Sequence, residues 1–361
     1  MLKNEQFDME LAINPSKIIS SLCYSVFRLE PYTNCSYSCK YCYARWYREE
    51  KLKPRFKALG MFAKVAKRLD IRIPFRLATL SDPLQDIEEK FKLSFKLIKT
   101  AKDFDLPIIL CTKSDRIAKE PWKGLINSMA KDNLIVVQVS ISSLDRYDFE
   151  PRAPPPEKRL EALSSIDAPK VLRLQPLIPN YSFNDAEELV EKVKEYGVEQ
   201  ITVEPLRVER SEVDLYKKFC EKWCNYSFEG SLIKVDAYEM IRELKRACDK
   251  YNVYFGLCKE GYFDLETANC CGMQYLDVEV RPTLREVYKE LVKVGEMKIE
   301  DIQKVFNKYL FGEKIQTLPR PIKKALRFHE KVLLKVLKDG KVVEQLTPLI
   351  KVENSTLKLA K

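Results

Sequence analysis

Seven short apolar runs, separated by longer amphipathic stretches, constrain this chain more than any other feature. They fall at residues 25–29, 75–80, 107–111, 134–141, 171–177, 200–204 and 253–257. Runs such as 107–111 and 134–141 are too continuous for a strand with one wet face and too short for a helix, which suits strands buried on both sides. The segments between them have helical spacing. Phe91, Phe95, Ile98 and Ala101 fall on one face, and so do Ala186, Leu189, Val190 and Val193, with Asn184 or Asp185 as a cap and Gly197 as a stop. Strand and helix in alternation predict an α/β fold around a parallel sheet.

Beyond about residue 275 the pattern changes to helices without strands between them. Thr283 and Glu286 form a capping box, and Ile302, Val305, Phe306 and Tyr309 make an apolar stripe. Residues 332–346 suit either a hairpin about Asp339-Gly340, part of a winged-helix-like unit with 322–328, or continued helix packed on the sheet. The expected division is an N-terminal extension (1–24), a core (25–275) and a mostly helical basic extension (276–361).

A chain of 361 residues buries a full core. No apolar run approaches a transmembrane length and the first residues lack a secretory h-region, so the expected location is the cytoplasm, with no membrane partner. Eleven cysteines, an odd number that includes the adjacent Cys270 and Cys271, argue against a disulfide framework. Cys23, Cys111 and Cys248 read as small buried apolar residues. Net charge is +10, and residues 313–361 hold twelve Lys or Arg against five Asp or Glu. Such a basic tail fits a partner with phosphates, although Lys-rich surfaces also serve solubility.

The loop after the first strand reads Asn34-Cys-Ser-Tyr-Ser-Cys-Lys-Tyr-Cys-Tyr-Ala-Arg45. Cys35, Cys39 and Cys42 supply three thiolates and no fourth. A structural zinc site needs four ligands; the single histidine, His329, is far downstream, and Cys23 is twelve residues upstream across a predicted strand. Three thiolates leave an open iron on an iron-sulfur cluster, which can take a chelating molecule. The C-x3-C-x2-C spacing, with Tyr41 before the last cysteine, resembles the radical S-adenosylmethionine (SAM) signature.

Polar residues recur where the other strands end: Ser81-Asp82, Thr112-Lys113, Ser140, Gln175-Pro176, Glu204 and Cys258. Reactive groups of parallel α/β folds gather at that edge, although a turn or cap explains any one of them alone. Lys113 suits the SAM carboxylate, Ser81 and Asp82 its amino group, and Ser140 its carboxylate or ribose; Tyr41 and Tyr43 offer rings beside the cluster. The segments Asn34 to Arg45, Ser81-Asp-Pro-Leu-Gln-Asp-Ile-Glu88, Cys111-Thr-Lys-Ser-Asp115, Ser140-Ile-Ser-Ser143 and Glu150-Pro-Arg-Ala-Pro154 resemble spore photoproduct lyase-like, or DNA repair photolyase-like, radical SAM proteins. The resemblance implies a partial (β/α)6 barrel, a 4Fe-4S cluster, SAM contacts from Tyr41, Tyr43, Ser81, Lys113 and Ser140, and reductive cleavage of SAM to a 5′-deoxyadenosyl radical. A one-electron reductant such as flavodoxin or ferredoxin is then a partner.

One departure matters. In the lyase a cysteine just before the second-strand serine returns hydrogen to the product radical; here Leu80 stands there. Cys258, Cys270 and Cys271 are the candidate catalytic thiols in its place, either as hydrogen donor or as ligands of an auxiliary cluster, against a role in packing alone. Residues 40–57 interleave Arg45, Arg48, Lys51, Lys53, Arg55 and Lys57 with Trp46, Tyr47 and Phe56, which suits nucleic acid or an amphipathic helix. The expectation is a radical SAM enzyme with a nucleic acid substrate. Its rivals are a peptide-modifying radical enzyme and a non-enzymatic basic nucleic-acid binding protein with a structural metal.

Overall fold

The computed structural model describes residues 19–46, 48–217, 225–229 and 232–360. Most of the expected N-terminal extension, 1–18, lies outside them, as do Tyr47 and the side chain of Trp46 from the basic stretch.

All seven predicted strands form, in one sheet: β1 (Phe27–Leu29), β2 (Phe75–Leu77), β3 (Ile108–Thr112), β4 (Ile135–Ile141), β5 (Lys170–Leu177), β6 (Gln200–Pro205) and a seventh, Tyr254–Leu257. They lie side by side in chain order and every pairing is parallel, as in a partial barrel whose first and last strands do not pair with each other. Both faces of the central strands are covered. Ile108, Leu110, Ile135, Val137, Leu172 and Leu174 pack outward under the helices. Ile109, Val136 and Val171 pack inward against Cys258, Cys270 and Met273. That double burial is why these strands lack apolar and polar alternation.

Local chemistry explains where the elements stop. β2 ends at Leu77, three residues earlier than expected, because the buried Glu30 carboxylate draws the chain aside, accepting from the N–H groups of Thr79 (2.6 Å) and Leu80 (2.8 Å). The next helical stretch breaks at Lys92, φ 48°, into Ile87–Phe91 and Leu93–Asp103. Glu88 fills the break and accepts from Ser94 N–H, Phe95 N–H and Trp122 Nε1. Helix Ala186–Glu195 begins at Asp185, which caps Glu187 and Glu188, and both halves of the Thr283–Glu286 capping box are present.

Two small antiparallel sheets were not anticipated. One joins Arg207–Glu209, Leu232–Val235 and Tyr226–Glu229; the other joins Glu296–Lys298, Thr356–Leu359 and Ile350–Glu353, so the extension is helical with a strand cap. The hairpin reading of residues 332–346 does not hold. Helix Arg320–Leu337 runs through and Asp339 caps a second helix, Gly340–Leu346, by accepting from Val342 N–H. Leu284, Phe306, Ile322 and Leu333 join the same apolar core as the barrel helices.

Candidate active site

The cysteine loop leaves β1 and is stitched to its neighbours by side chains on other strand ends. Fully buried Gln85 accepts from Ser36 N–H (2.7 Å) and donates to the Asn34 carbonyl (2.9 Å). On the opposite flank Lys40 N–H donates to the Phe149 carbonyl at 2.8 Å. Ser38 takes a left-handed φ of 52° between the first two cysteines, and Cys42 N–H closes a turn on the Cys39 carbonyl. Cys35, Cys39 and Cys42 are all half-buried and free. Burial, then nearby Asp82, pushes the Cys35 thiol up to about 11, and burial pushes Cys39 up to about 12, so a bound metal must displace their protons. Among the described residues no three such side chains close around a single metal ion. Three thiols on one loop, each within electrostatic reach of the others, fit an iron-sulfur cluster with an open iron.

Beside that loop, residues from four segments meet at one carboxylate. Glu150 is 1% exposed. It accepts from Lys113 Nζ (2.9 Å), Ser142 Oγ (2.9 Å) and the Tyr41 hydroxyl, while Arg159 pairs with its second oxygen. Burial resists the charge, but Lys113 and Arg159 outweigh it and hold the Glu150 carboxyl down to about 2. Lys113 Nζ also donates to Ser140 Oγ at 2.8 Å and stands 5.6 Å from the centre of the Tyr41 ring. Tyr41, Lys113 and Ser140 are thus brought together as their strand-end positions imply. Glu150, the shared partner of Tyr41 and Lys113, and Arg159 behind it, were not singled out from sequence. The trace was there in the Glu150-Pro-Arg-Ala-Pro154 segment, whose function no local spacing discloses.

The remaining contact residues divide. Asp82 is committed to the backbone: it accepts from Leu84 N–H, Lys113 N–H (2.6 Å) and Thr112 Oγ1 (2.7 Å), and so positions Lys113. Ser81 Oγ reaches Glu30 at 3.3 Å. Tyr43 donates to the Thr79 carbonyl (2.8 Å), and the Lys259 ammonium lies 5.7 Å from the centre of its ring. Lys259 also pairs with Glu204, whose carboxyl Lys259 and Arg207 hold down to about 2 against burial.

Cys258, Cys270 and Cys271 do meet, inside the barrel and below this rim. Cys270 and Cys271 sulfurs are 3.8 Å apart, Ser25 Oγ is 3.1 Å from Cys271, and Cys258 shares their apolar surroundings. Hydrogen bonding from Cys270 lowers the pKa of both Cys258 and Cys271 against the effect of burial. Cys23 is buried as expected and lies within the electrostatic reach of Cys271 and Cys258, whereas Cys111 is only half-buried, accepting from Arg76 at 3.1 Å and donating to Gln138 at 2.9 Å. Cys248 packs in the helix layer as expected. In the basic stretch, Arg45 pairs with Glu212 and Arg55 with Glu49, and Phe56 is exposed.

Residues 29–206 match the model of the radical SAM superfamily. That segment is a radical SAM domain. Among solved structures, a variant of spore photoproduct lyase has a TM-score of 0.52 at 16% identity, covering 70% of this chain and 79% of that one. A second variant, solved with dinucleoside spore photoproduct, has a TM-score of 0.51 at 16% identity and the same coverage. An uncharacterized protein of Methanocaldococcus jannaschii is 27% identical over 194 residues, which is 51% of this chain and 70% of that protein. The structural likeness establishes a shared fold. This radical SAM enzyme therefore carries its cysteine loop and the Glu150 assembly on the strand-end rim of that fold, and no helix among its described residues is long and apolar enough to cross a membrane.

Proposed function

We propose that Cys35, Cys39 and Cys42 hold a 4Fe-4S cluster and that the enzyme acts on a nucleic acid, in photolyase-like repair or modification. The observation that carries the site is the meeting of Tyr41 and Lys113 at Glu150, with Ser140 held by Lys113, next to the cysteine loop. When bound, the cluster supplies one electron to SAM, releasing methionine and a 5′-deoxyadenosyl radical that takes hydrogen from the substrate. The protein's own part is orientation. Lys113 and Ser140 offer a cation and a hydroxyl to the SAM carboxylate, with Glu150 and Asp82 fixing Lys113 from two sides; Ser81 and Tyr43 line the neighbouring rim. A nucleic acid substrate is supported by the +10 net charge and basic tail, and by the relative solved with a dinucleoside lesion. A duplex substrate needs its target base extruded to reach this rim.

Hydrogen return is assigned to the thiol group, since Leu80 has only strong C–H bonds and no S–H to give. Cys258 is the member nearest the rim, being followed directly by Lys259 over the Tyr43 ring. Its thiol gives one hydrogen atom to the product radical and is left a thiyl radical beside Cys270.

Anaerobic reconstitution with iron, sulfide and dithionite is expected to load about four irons per chain and to release 5′-deoxyadenosine from SAM. Cys42→Ala should lower the iron content and abolish the nucleoside. Iron-loaded protein that forms none sinks the proposal, and an iron count well above four favours the peptide-modifying reading with an auxiliary cluster. With substrate in deuterated water, Cys258→Ala should lose the deuterium that the wild type delivers to product.

A further inference from the structure

Among the described residues the carboxylates around the barrel mouth have partners within the protein, while Arg28 and Arg76 in the bore form no ion pair with a carboxylate, and Arg173 lies only within electrostatic range of Glu204. Strand alternation sets this up. Phe27, Leu29, Phe75 and Leu77 lie in the outer apolar layer, so Arg28 and Arg76 between them enter the bore. The two are register partners on adjacent strands. Arg173 of β5 reaches the same space, within electrostatic range of Arg76.

Their hydrogen bonds go to neutral groups. Arg28 reaches Thr79 Oγ1 at 3.4 Å, Arg76 the Cys111 sulfur at 3.1 Å, and Arg173 Gln138, Gln175 and the Cys270 carbonyl. The Nε atoms of Arg28 and Arg76 are both buried and without a partner. Glu30, the nearest acid in sequence, is occupied by Thr79, Leu80 and Ser81; Glu204 is taken by Lys259 and Arg207. Arg173 is sealed, but Arg28 and Arg76 remain half-buried.

The bore thiols Cys111, Cys258 and Cys271 steady the Arg76 charge, but Arg28 and Arg76 keep unpartnered N–H donors in a poorly solvated space, and an anion seated between them supplies the missing acceptors. A planar guanidinium fork matches an oxyanion with two parallel hydrogen bonds. β1 and β2 are also the strands whose following loops carry Cys35 to Cys42 and Ser81, so an anion here lies beneath the radical source. We infer that Arg28 and Arg76 form a seat for an oxyanion of the substrate, and that in the nucleic acid reading, on which this identity rests, the oxyanion is a phosphate of the nucleotide under attack.

The test is calorimetric titration of reconstituted protein, saturated with SAM, using inorganic phosphate, thymidine, thymidine 5′-monophosphate and succinate. Phosphate and the monophosphate are expected to bind, with thymidine at least about tenfold weaker than its monophosphate. Losing a charge-assisted pair of hydrogen bonds should weaken phosphate about tenfold or more in Arg76→Gln and in Arg28→Gln, with Arg76→Lys retaining part of the affinity. Lys335→Gln, on a distant helix, should leave phosphate binding unchanged. Arg28→Gln serves as the second variant if Arg76→Gln fails to fold, and thermal melting identifies that case. Equal phosphate affinity in wild type and folded arginine variants overturns the seat, as does exclusion of phosphate by SAM. Succinate bound with the same arginine dependence, in place of phosphate, upholds the oxyanion seat and rejects the nucleic acid reading.

Discussion

Glu150 shows how one buried residue organises several that look independent in sequence. Its carboxylate joins Tyr41 to Lys113, which holds Ser140, and anchors Arg159, whose Nη1 donates to the Ser140 carbonyl at 2.9 Å. Replacing it with glutamine leaves Lys113 and Arg159 facing each other without a counter-charge. Glu150→Gln should lose about 3–5 kcal/mol in urea unfolding and most of its SAM affinity. The pH dependence has a defined sign. The folded-state carboxyl sits at about 2 against an ordinary 4.5. The unfolded chain therefore takes up the proton first, and the stabilisation present above about 4.5 is lost as pH falls toward 2. Acid titration of the wild type should show that loss, and the glutamine variant should lack its share of the slope.

Helix Arg320–Leu337 buries the chain's single histidine. His329 is 3% exposed, its Nδ1 has no hydrogen-bond partner, and burial, helped by Arg281, pushes its pKa down to about 3. It packs as a neutral ring beside Phe328 and not as a metal ligand. Below an ordinary 6.5 the unfolded chain binds a proton that the folded one refuses until about 3, so stability falls as pH drops through that window. The slope from this group approaches about 1.4 kcal/mol per pH unit. His329→Leu should flatten the midpoint of thermal unfolding between pH 6.5 and 4.5, above the range where Glu150 acts; an unchanged slope refutes this account of the helix.

Across the whole molecule, the extension is locked to the barrel by a close backbone approach. Thr347 Oγ1 donates to the Gly261 carbonyl at 2.7 Å, and a methyl group at Gly261 would fall 1.9 Å from the Leu346 carbonyl oxygen and 2.6 Å from Thr347 Cα. Backbone cannot step aside as a side-chain tip can. Gly261→Ala should destabilise by about 3 kcal/mol in urea unfolding, with earlier proteolysis in residues 340–360 than in the barrel. Full stability in that variant would mean that the extension shifts freely against the barrel.

Much of the barrel was legible because strand burial and helix spacing are local: the runs at 107–111 and 171–177, the Asp185 cap and the Thr283–Glu286 box each carry their own signal. The cysteine loop was legible for the same reason, its three thiols lying within eight residues. The rest depends on which strand ends adjoin and which way each side chain faces. Tyr41 and Glu150 are 109 residues apart, and Ser25 and Cys271 are 246 apart. No local period relates Arg28 to Arg76; only the parallel register of β1 and β2 makes them neighbours. By itself the sequence determined that a parallel α/β core carries three thiols on its first loop, since both follow from short-range pattern. Tertiary structure decided what surrounds them: a carboxylate that sets Lys113, a buried group of thiols, and a bore lined with guanidiniums, because burial and pairing of charge arise only when distant strand ends close around one space.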